Sequence, residues 1–205
     1  GFVDASTGYR KELVIKPEGT IPEFGGGLCQ VSSTMFRAIM YTGLPVKERA
    51  PHSYAVTYYS QVGGHGLDAT IYPPSRDLKF MNDTPGHILI QAYADGVDAF
   101  FKFYGTSDGR KVVLEGPSIS NQRSAPAEPL LVPDETLPAG EKKQVEKPHG
   151  GFDTLWYRYI TANGETVKEE IKSRYKAVPA KYLVGGEVNA EGENKGLAEP
   201  TNPSE

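Results

Sequence analysis

The stretch Gly25-Gly26-Gly27-Leu28-Cys29-Gln30 decides how the first half of this chain is interpreted. Beyond it, apolar residues recur mostly at spacings of three and four, at Val31, Met35, Ala38, Ile39 and Met40. That period is typical of an amphipathic helix, and Gly43 followed by Pro45 is a stop signal. The sequence therefore predicts a helix over residues 29–42, with Cys29 in its first turn.

Three glycines in front of a helix-opening cysteine favour a reactive site. Glycines let the backbone approach a ligand closely, and the free N–H groups at a helix start stabilise a thiolate. A thiolate placed there has a pKa below the ordinary value of about 8.5, and the same N–H groups can receive an oxyanion. We expect Cys29 to be a nucleophile. The candidate substrate-binding residues are Gly25, Gly26, Gly27, Gln30 and Ser32.

A general base and an orienting acid follow Cys29 in the order that thiol catalysis needs. His52 precedes an aromatic and β-branched segment that predicts a strand over 54–59, and Asp68 opens a second predicted strand over 68–72. If the two strands pair through the glycine-rich turn at 63–66, the imidazole and the carboxylate lie side by side. Cys29, His52 and Asp68 are therefore the candidate catalytic residues of a thiol hydrolase or transpeptidase-like enzyme.

Other interpretations of these residues stay open. Cys29 can be a small buried apolar residue, with the glycine loop and the helix end forming a non-catalytic binding site. Cys29, His52 and Asp68 can also be zinc ligands, although no closely spaced Cys or His pair supports a metal site. Ser32 can cap the backbone instead of binding substrate. The sequence implies no cofactor.

The remainder of the first 120 residues carries strand signals. Segments 87–93 and 99–104 flank the turn Asp95-Gly96 and predict a hairpin, and a further strand is expected over 111–114. One helix packed on an antiparallel sheet is an α+β arrangement. Residues 1–120 are therefore predicted to form an α+β domain.

The second half of the chain predicts a linker, a slender domain and a tail. The chain from Gly116 to Pro133 is rich in Ser, Pro, Ala and Asn, which places a linker at 121–132. Three strands are predicted, over 142–146, 154–161 and 166–175, the last two joined by the turn Asn163-Gly164. Few large apolar residues accompany them, so an all-β domain over 133–187 is expected. Residues 188–205 predict a disordered tail.

Charge and composition exclude some classes of function. A net charge of -4 and a pI near 5.7 argue against a nucleic-acid partner. The single cysteine excludes an internal disulfide. No apolar run reaches the roughly 18 residues of a membrane helix, and the first residues lack the features of a signal peptide. The chain is therefore either cytosolic or a fragment of a longer exported precursor.

Five stretches carry a family pattern: Gly25 to Thr34, Glu48-Arg49, His52-Ser53, Asp68-Ala69-Thr70 and Asp77 to Asn82. Through these stretches, residues 8–120 resemble the VanW family, which is named from a protein of a type-B vancomycin resistance cluster. The resemblance implies an exported bacterial protein. The order of Cys, His and Asp, with Asp68-Ala69-Thr70 as its third element, also resembles the transglutaminase-like and papain-like thiol enzymes. That second resemblance implies their helix-on-sheet fold.

The C-terminal region carries a second pattern, in Leu137 to Gly140, Gly150-Gly151-Phe152, Tyr157 to Gly164 and Val184-Gly185. It is similar to the G-five family, which implies a slender β module of surface proteins. Such modules are associated with cell-wall attachment, N-acetylglucosamine binding or zinc-dependent association, and a passive spacer is the alternative. Together the resemblances imply a location outside the cell, a peptidoglycan or wall-glycan partner, and any membrane anchor lying outside this segment.

These observations lead to one hypothesis and one alternative. The hypothesis is an extracytoplasmic, cell-wall-associated, thiol-dependent amide hydrolase or acyltransferase that acts on peptidoglycan peptides. The alternative is a non-catalytic module that binds peptidoglycan or a wall glycan.

Overall fold

Short strands dominate residues 2–16 and 19–186, the part of the chain that this computed structural model describes. Strands account for 44% of these residues and helices for 12%. The strands are β1 (Lys11–Lys16), β2 (Gly19–Phe24), β3 (Val46–Glu48), β4 (Lys79–Phe80), β5 (Leu89–Asp95), β6 (Asp98–Tyr104), β7 (Lys111–Arg123), β8 (Leu130–Pro133), β9 (Lys142–Glu146), β10 (Gly151–Ala162), β11 (Glu165–Tyr175) and β12 (Lys181–Val184). The helices are α1 (Leu28–Thr42), α2 (Thr57–Ser60) and a 3-10 turn at Ala5–Thr7.

The described strands form five small sheets. Strand β1 pairs with β2, β3 with β4, and β5 with β6, each antiparallel. Strand β10 lies between β11 and β7, antiparallel to both. Strand β12 lies between β8, to which it is parallel, and β9, to which it is antiparallel. Because no sheet among the described residues exceeds three strands, none offers the broad face of a helix-on-sheet layer.

Helix α1 carries the centre of the core. The predicted helix over 29–42 is confirmed, and it begins at Leu28. Gly27 and Gly43 flank it with φ angles of 88° and 74°, which favour glycine because it has no Cβ. Its inner face buries Phe36, Ile39 and Met40. Burial of each of these side chains stabilises the fold by roughly 1.5–3 kcal/mol. The core cluster consists of Phe36, Ile39, Met40, Leu67, Ala69 and Trp156.

The predicted α+β class, a helix on an antiparallel sheet of transglutaminase- or papain-like type followed by an all-β domain, is wrong. The segments expected to form the central strands are not strands: 57–60 is the short helix α2, and 68–71 is irregular. The physical reason is that helix α1 takes the place of a neighbouring strand. The Ala69 N–H donates to Ser33 Oγ at 2.9 Å, and the Ala69 carbonyl accepts from Ser32 Oγ at 2.5 Å.

Strand β10 packs into the same core as α1. The indole N–H of Trp156 donates to the carbonyl of His65 at 2.7 Å. Arg158, 1% exposed, donates to the carbonyl of Leu44 just after α1 and pairs with Glu169 on β11. The C-terminal strands therefore share a core with the N-terminal helix.

The hairpins predicted at Asp95-Gly96 and at Asn163-Gly164 are confirmed. Strands β5 and β6 pair from Leu89 with Tyr104 to Asp95 with Asp98. Strands β10 and β11 meet at Asn163-Gly164, where φ angles of 52° and 82° fit the two-residue turn that this dipeptide favours.

Two further segments bear on the predicted organisation. Strand β7 continues to Arg123 and β8 begins at Leu130, so strands enter both ends of the segment predicted as a linker. The predicted tail over 188–205 lies outside the described residues. Within the described part of the chain, no helix combines the length and hydropathy needed to cross a bilayer.

Candidate functional site

His52 and Asp68 form the centre of a buried polar cluster, although each lies in irregular backbone. His52 Nδ1 is 2.6 Å from Asp68 Oδ2, and the His52 backbone N–H donates to the same oxygen at 2.8 Å. His52 is 8% exposed and Asp68 2%. Since an ionised carboxylate can only accept, His52 Nδ1 carries the proton, which leaves Nε2 for another partner.

The other carboxylate oxygen of Asp68 has two donors that the sequence did not indicate. Tyr175 Oη donates to Oδ1 at 2.5 Å, and Arg49 Nη2 lies at 3.2 Å. Arg49 also donates to the backbone carbonyls of Asp68 at 2.6 Å and Gly66 at 2.9 Å. Donors therefore fix both oxygens of the carboxylate, and the segment that carries it.

Cys29 lies in the first turn of α1, and its thiol faces His52. The Sγ atom lies 3.6 Å from the Ile71 carbonyl, and His52 is close enough to lower the pKa of the thiol. Burial by itself would raise the pKa of Cys29, but the hydrogen bonds with His52 and the Ile71 backbone outweigh it, so the pKa lies below its usual value. The three predicted catalytic side chains thus lie together, with His52 hydrogen-bonded to Asp68 and electrostatically coupled to Cys29.

The pKa values of His52 and Asp68 favour a charged relay. Burial would lower the pKa of His52, yet hydrogen bonds to Asp68 and Cys29 raise it to about 9. Burial would raise the pKa of Asp68, yet the His52 hydrogen bond, the Arg49 charge and the Tyr175 hydroxyl lower it to about 2. Near neutral pH, Asp68 is ionised and His52 is an imidazolium that can stabilise the Cys29 thiolate.

The glycines before α1 make close contacts with the chain itself. A Cβ on Gly26 would lie 2.2 Å from that of Glu12 on β1, and one on Gly25, where φ is 96°, would lie 2.9 Å from Val3. Gly26, Gly27 and Gln30 also line a cavity of about 320 Å³ beside the start of α1. Cys29 is not among its lining residues.

The backbone amide of Cys29 is open to an acceptor. The amides of Leu28, Gln30 and Val31 donate to the carbonyls of Gly25 and Gly27. In the described part of the chain, no acceptor takes the Cys29 N–H. A helix-start N–H beside a thiol is placed to receive an oxyanion.

Ser32, predicted to bind substrate, lies inside the core instead. It is 2% exposed, and its hydroxyl bonds to the carbonyls of Ala69 and Cys29 at 2.5 and 3.1 Å. It therefore ties the Asp68 segment to the helix that carries Cys29.

An aromatic ring that the sequence did not indicate covers the imidazole. Tyr59 on α2 stacks on His52, with ring centroids 5.0 Å apart and 28° between the planes. Burial and the neighbouring Tyr58 hydroxyl raise the pKa of Tyr59, so its phenol stays neutral. The only sequence signal was the aromatic composition of 54–59, which predicted a strand.

The zinc interpretation finds no support in the geometry. No group of three or more His, Cys, Asp or Glu side chains is arranged to hold a metal ion among the described residues. His52 directs Nδ1 to Asp68, so that ring nitrogen is already used.

Comparison with known proteins assigns two regions of the chain. Residues 1–104 match the model described as "VanW like protein", and residues 119–187 match the G5 domain. The Bacillus subtilis (strain 168) protein called "Uncharacterized protein YoaR" is 30% identical over 135 residues, 66% of this chain and 40% of that protein. The "Vancomycin B-type resistance protein VanW" of Enterococcus faecalis (strain ATCC 700802 / V583) is 27% identical over 113 residues, 54% of this chain and 36% of that protein.

These matches cover about two fifths of the length of either curated relative. No solved structure matches the chain significantly. The predicted resemblances to the VanW-like and G5 families are confirmed.

Proposed function

Because this chain belongs to the VanW-like protein family and carries a G5 domain, we propose that it acts at the bacterial cell wall as a thiol-dependent amide hydrolase or acyltransferase. The proposed site residues are Cys29 as nucleophile, His52 as general base and acid, and Asp68 as the acid that orients His52. The proposed substrates are peptidoglycan peptides, and the proposed location is outside the cell.

One observation carries the proposal: the Cys29 thiol at a helix start has its pKa lowered by the nearby His52 imidazole, which is hydrogen-bonded to the Asp68 carboxylate. A buried carboxylate that receives donors on both oxygens supports the orienting role. A purely structural cysteine has no need of an imidazole whose own pKa is raised by a buried carboxylate. Reactive thiols are activated by such an arrangement.

The proposed reaction begins with attack of the Cys29 thiolate on the carbonyl carbon of an amide. A C–S bond forms, and the carbonyl oxygen becomes an oxyanion near the free N–H of Cys29. The C–N bond then breaks, and the amine leaves with the proton that His52 Nε2 donates. Neutral His52 next takes a proton from water or from an acceptor amine, which attacks the thioester and releases the thiolate.

The test is the turnover of peptidoglycan by the purified protein. With wild type, we expect mass spectrometry of the muropeptides to show either hydrolysis, as the gain of one water, or acyl transfer, as a joined product that lacks the mass of the leaving amine. Cys29→Ala should reduce the change to background because no nucleophile remains. Ser6→Ala is the matched control, since it also removes a small nucleophilic group, but at an exposed position outside the site. Equal muropeptide profiles for wild type and Cys29→Ala would count against the proposal.

A non-catalytic binding module is the second candidate, favoured by the cavity that Gly26, Gly27 and Gln30 line without Cys29. The same samples decide between the two. Cosedimentation with peptidoglycan that Cys29→Ala retains in full, without any change in the muropeptides, would favour binding alone.

A further inference from the structure

Tyr175 reaches the thiol site from the end of strand β11, within the region that matches the G5 domain. Its phenol donates to Asp68 Oδ1 at 2.5 Å across 107 positions of sequence, and the residue is 2% exposed. Arg49 is the other donor to this oxygen, at 3.2 Å. One of the two donors to Asp68 Oδ1, Tyr175, therefore comes from outside the VanW-like region.

We propose that Tyr175 is a positioning residue for the thiol site, so that strand β11 of the G5 domain completes the site that the VanW-like region begins. This inference rests on the proposed role of Cys29, His52 and Asp68. It gives the G5 domain a part in the chemistry, in addition to any contact that it makes with the cell wall.

Several bonds hold β11 against the two segments that carry His52 and Asp68. Ser173 Oγ donates to the Gly66 carbonyl at 2.9 Å, two residues before Asp68. The Lys176 N–H donates to the Ser53 carbonyl at 2.8 Å, one residue after His52. Arg49 Nη1 donates to the Lys172 carbonyl on β11 at 3.1 Å. These hydrogen bonds therefore fix the position of Tyr175 relative to Asp68.

The chemistry of the phenol suits this task. Burial and the nearby Asp68 charge raise the pKa of Tyr175, so the hydroxyl keeps its proton. The phenol therefore donates to the Asp68 carboxylate and helps to hold it in place. Its ring packs against Phe152 and His65, with centroids 5.2 and 6.4 Å away, which fixes the hydroxyl in place. The ionisable groups that interact with the Asp68 carboxylate are Cys29, Arg37, Arg49, His52, His65 and Tyr175.

Loss of the hydroxyl should weaken the relay through the orientation of Asp68. With Tyr175 replaced, Oδ1 retains only the longer bond to Arg49. The carboxylate can then turn toward the guanidinium and lengthen its 2.6 Å contact with His52 Nδ1. The imidazolium loses part of its stabilisation, and the Cys29 thiolate that pairs with it becomes less favourable.

The test is the rate of Cys29 alkylation by iodoacetamide as a function of pH, measured on the full chain. Tyr175→Phe should raise the apparent pKa of Cys29 by about one unit, which lowers the thiolate fraction about tenfold at pH values below both midpoints. Greater nucleophilicity of the more basic thiolate offsets part of this, leaving a rate loss of about threefold. NMR titration should show a lower pKa for His52, one of four histidines in the chain.

The matched control is Tyr157→Phe, on the neighbouring strand β10. Its ring lies 3.6 Å from the Lys168 ammonium, and within the described residues its hydroxyl donates no hydrogen bond. This variant should alkylate like wild type. If Tyr175→Phe does not fold, as checked by thermal unfolding, Tyr175→Met fills the space with an adaptable side chain and should show the same shift.

The outcomes separate this inference from the proposal on which it rests. If His52→Ala moves the alkylation profile and Tyr175→Phe does not, Tyr175 has no positioning role and the inference is overturned. If His52→Ala leaves the profile unchanged, the thiol relay itself is absent and both ideas fail. A shift with Tyr175→Phe but not with Tyr157→Phe is the expected result.

Discussion

Asp68→Asn is expected to lower the free energy of unfolding by about 3–5 kcal/mol, because breaking a buried ion pair leaves the other charge uncompensated. The carboxylate is 2% exposed and accepts from Arg49, His52 and Tyr175. The amide would keep the size of the group, but its NH₂ cannot accept from any of these donors. Urea or thermal unfolding of the two proteins at pH 7 measures the difference.

The matched control for this change is Asp153→Asn. Asp153 pairs with Arg123 at 2.8 Å in a half-exposed position, where the side chains are 26% and 32% exposed. Exposed ion pairs contribute little to stability, so this variant should unfold almost like wild type. Equal losses in the free energy of unfolding would mean that the Asp68 carboxylate contributes no more than an exposed charge does, contrary to its burial.

The stability difference at Asp68 should also depend on acid pH. The folded pKa is about 2 and the ordinary value is 3.8, so the folded state binds a proton less readily than the unfolded chain. This contribution is fully present above about pH 4 and is lost as the pH falls toward 2. The difference of nearly two units corresponds to about 2 kcal/mol. Wild type should therefore lose about that much of its advantage over Asp68→Asn between pH 4 and 2.

His52→Ala is expected to remove the activation of Cys29. Without the imidazole, burial is the largest influence on the thiol, and the apparent pKa of Cys29 should rise to about 8.5 or above. At pH values below both midpoints, each unit of this rise lowers the thiolate fraction about tenfold and the alkylation rate about threefold, because the more basic thiolate is more nucleophilic. Iodoacetamide alkylation followed from pH 5 to 10 measures this shift.

His87→Ala controls for the loss of a histidine. His87 is exposed at the start of the β5–β6 hairpin, and its removal should leave the alkylation profile of Cys29 unchanged. The interpretation of His52 as a general base would be wrong if His52→Ala and His87→Ala gave the same profile as wild type.

Local patterns in the sequence predicted the local elements well. The apolar spacing after Cys29 predicted α1 within one residue, and Asn163-Gly164 predicted the turn between β10 and β11. These elements depend on contacts within a few residues, which the sequence displays directly. The order of Cys29, His52 and Asp68 suggested that they meet, and the structure brings these three side chains together.

The reason they meet was not predictable from the sequence. A strand pair was expected to align His52 with Asp68, whereas side chains on α1 and the Arg49 guanidinium hold the Asp68 segment in irregular backbone. No periodic pattern in the sequence indicates side-chain hydrogen bonds between segments that are distant along the chain. Tyr175 was missed for the same reason, since 107 positions separate it from Asp68 and its own strand pattern is ordinary.

The central claim is that Cys29 forms a thioester with a peptide of the cell wall, and intact-mass spectrometry tests it most directly. The protein is incubated with soluble muropeptides, quenched in acid and weighed, with Cys29→Ala treated in parallel. We predict a mass increase equal to one muropeptide acyl group, mapped to Cys29 and absent from Cys29→Ala. An unmodified wild-type mass with every muropeptide tested, in a protein whose Cys29 is alkylated readily at pH 7, would contradict the claim.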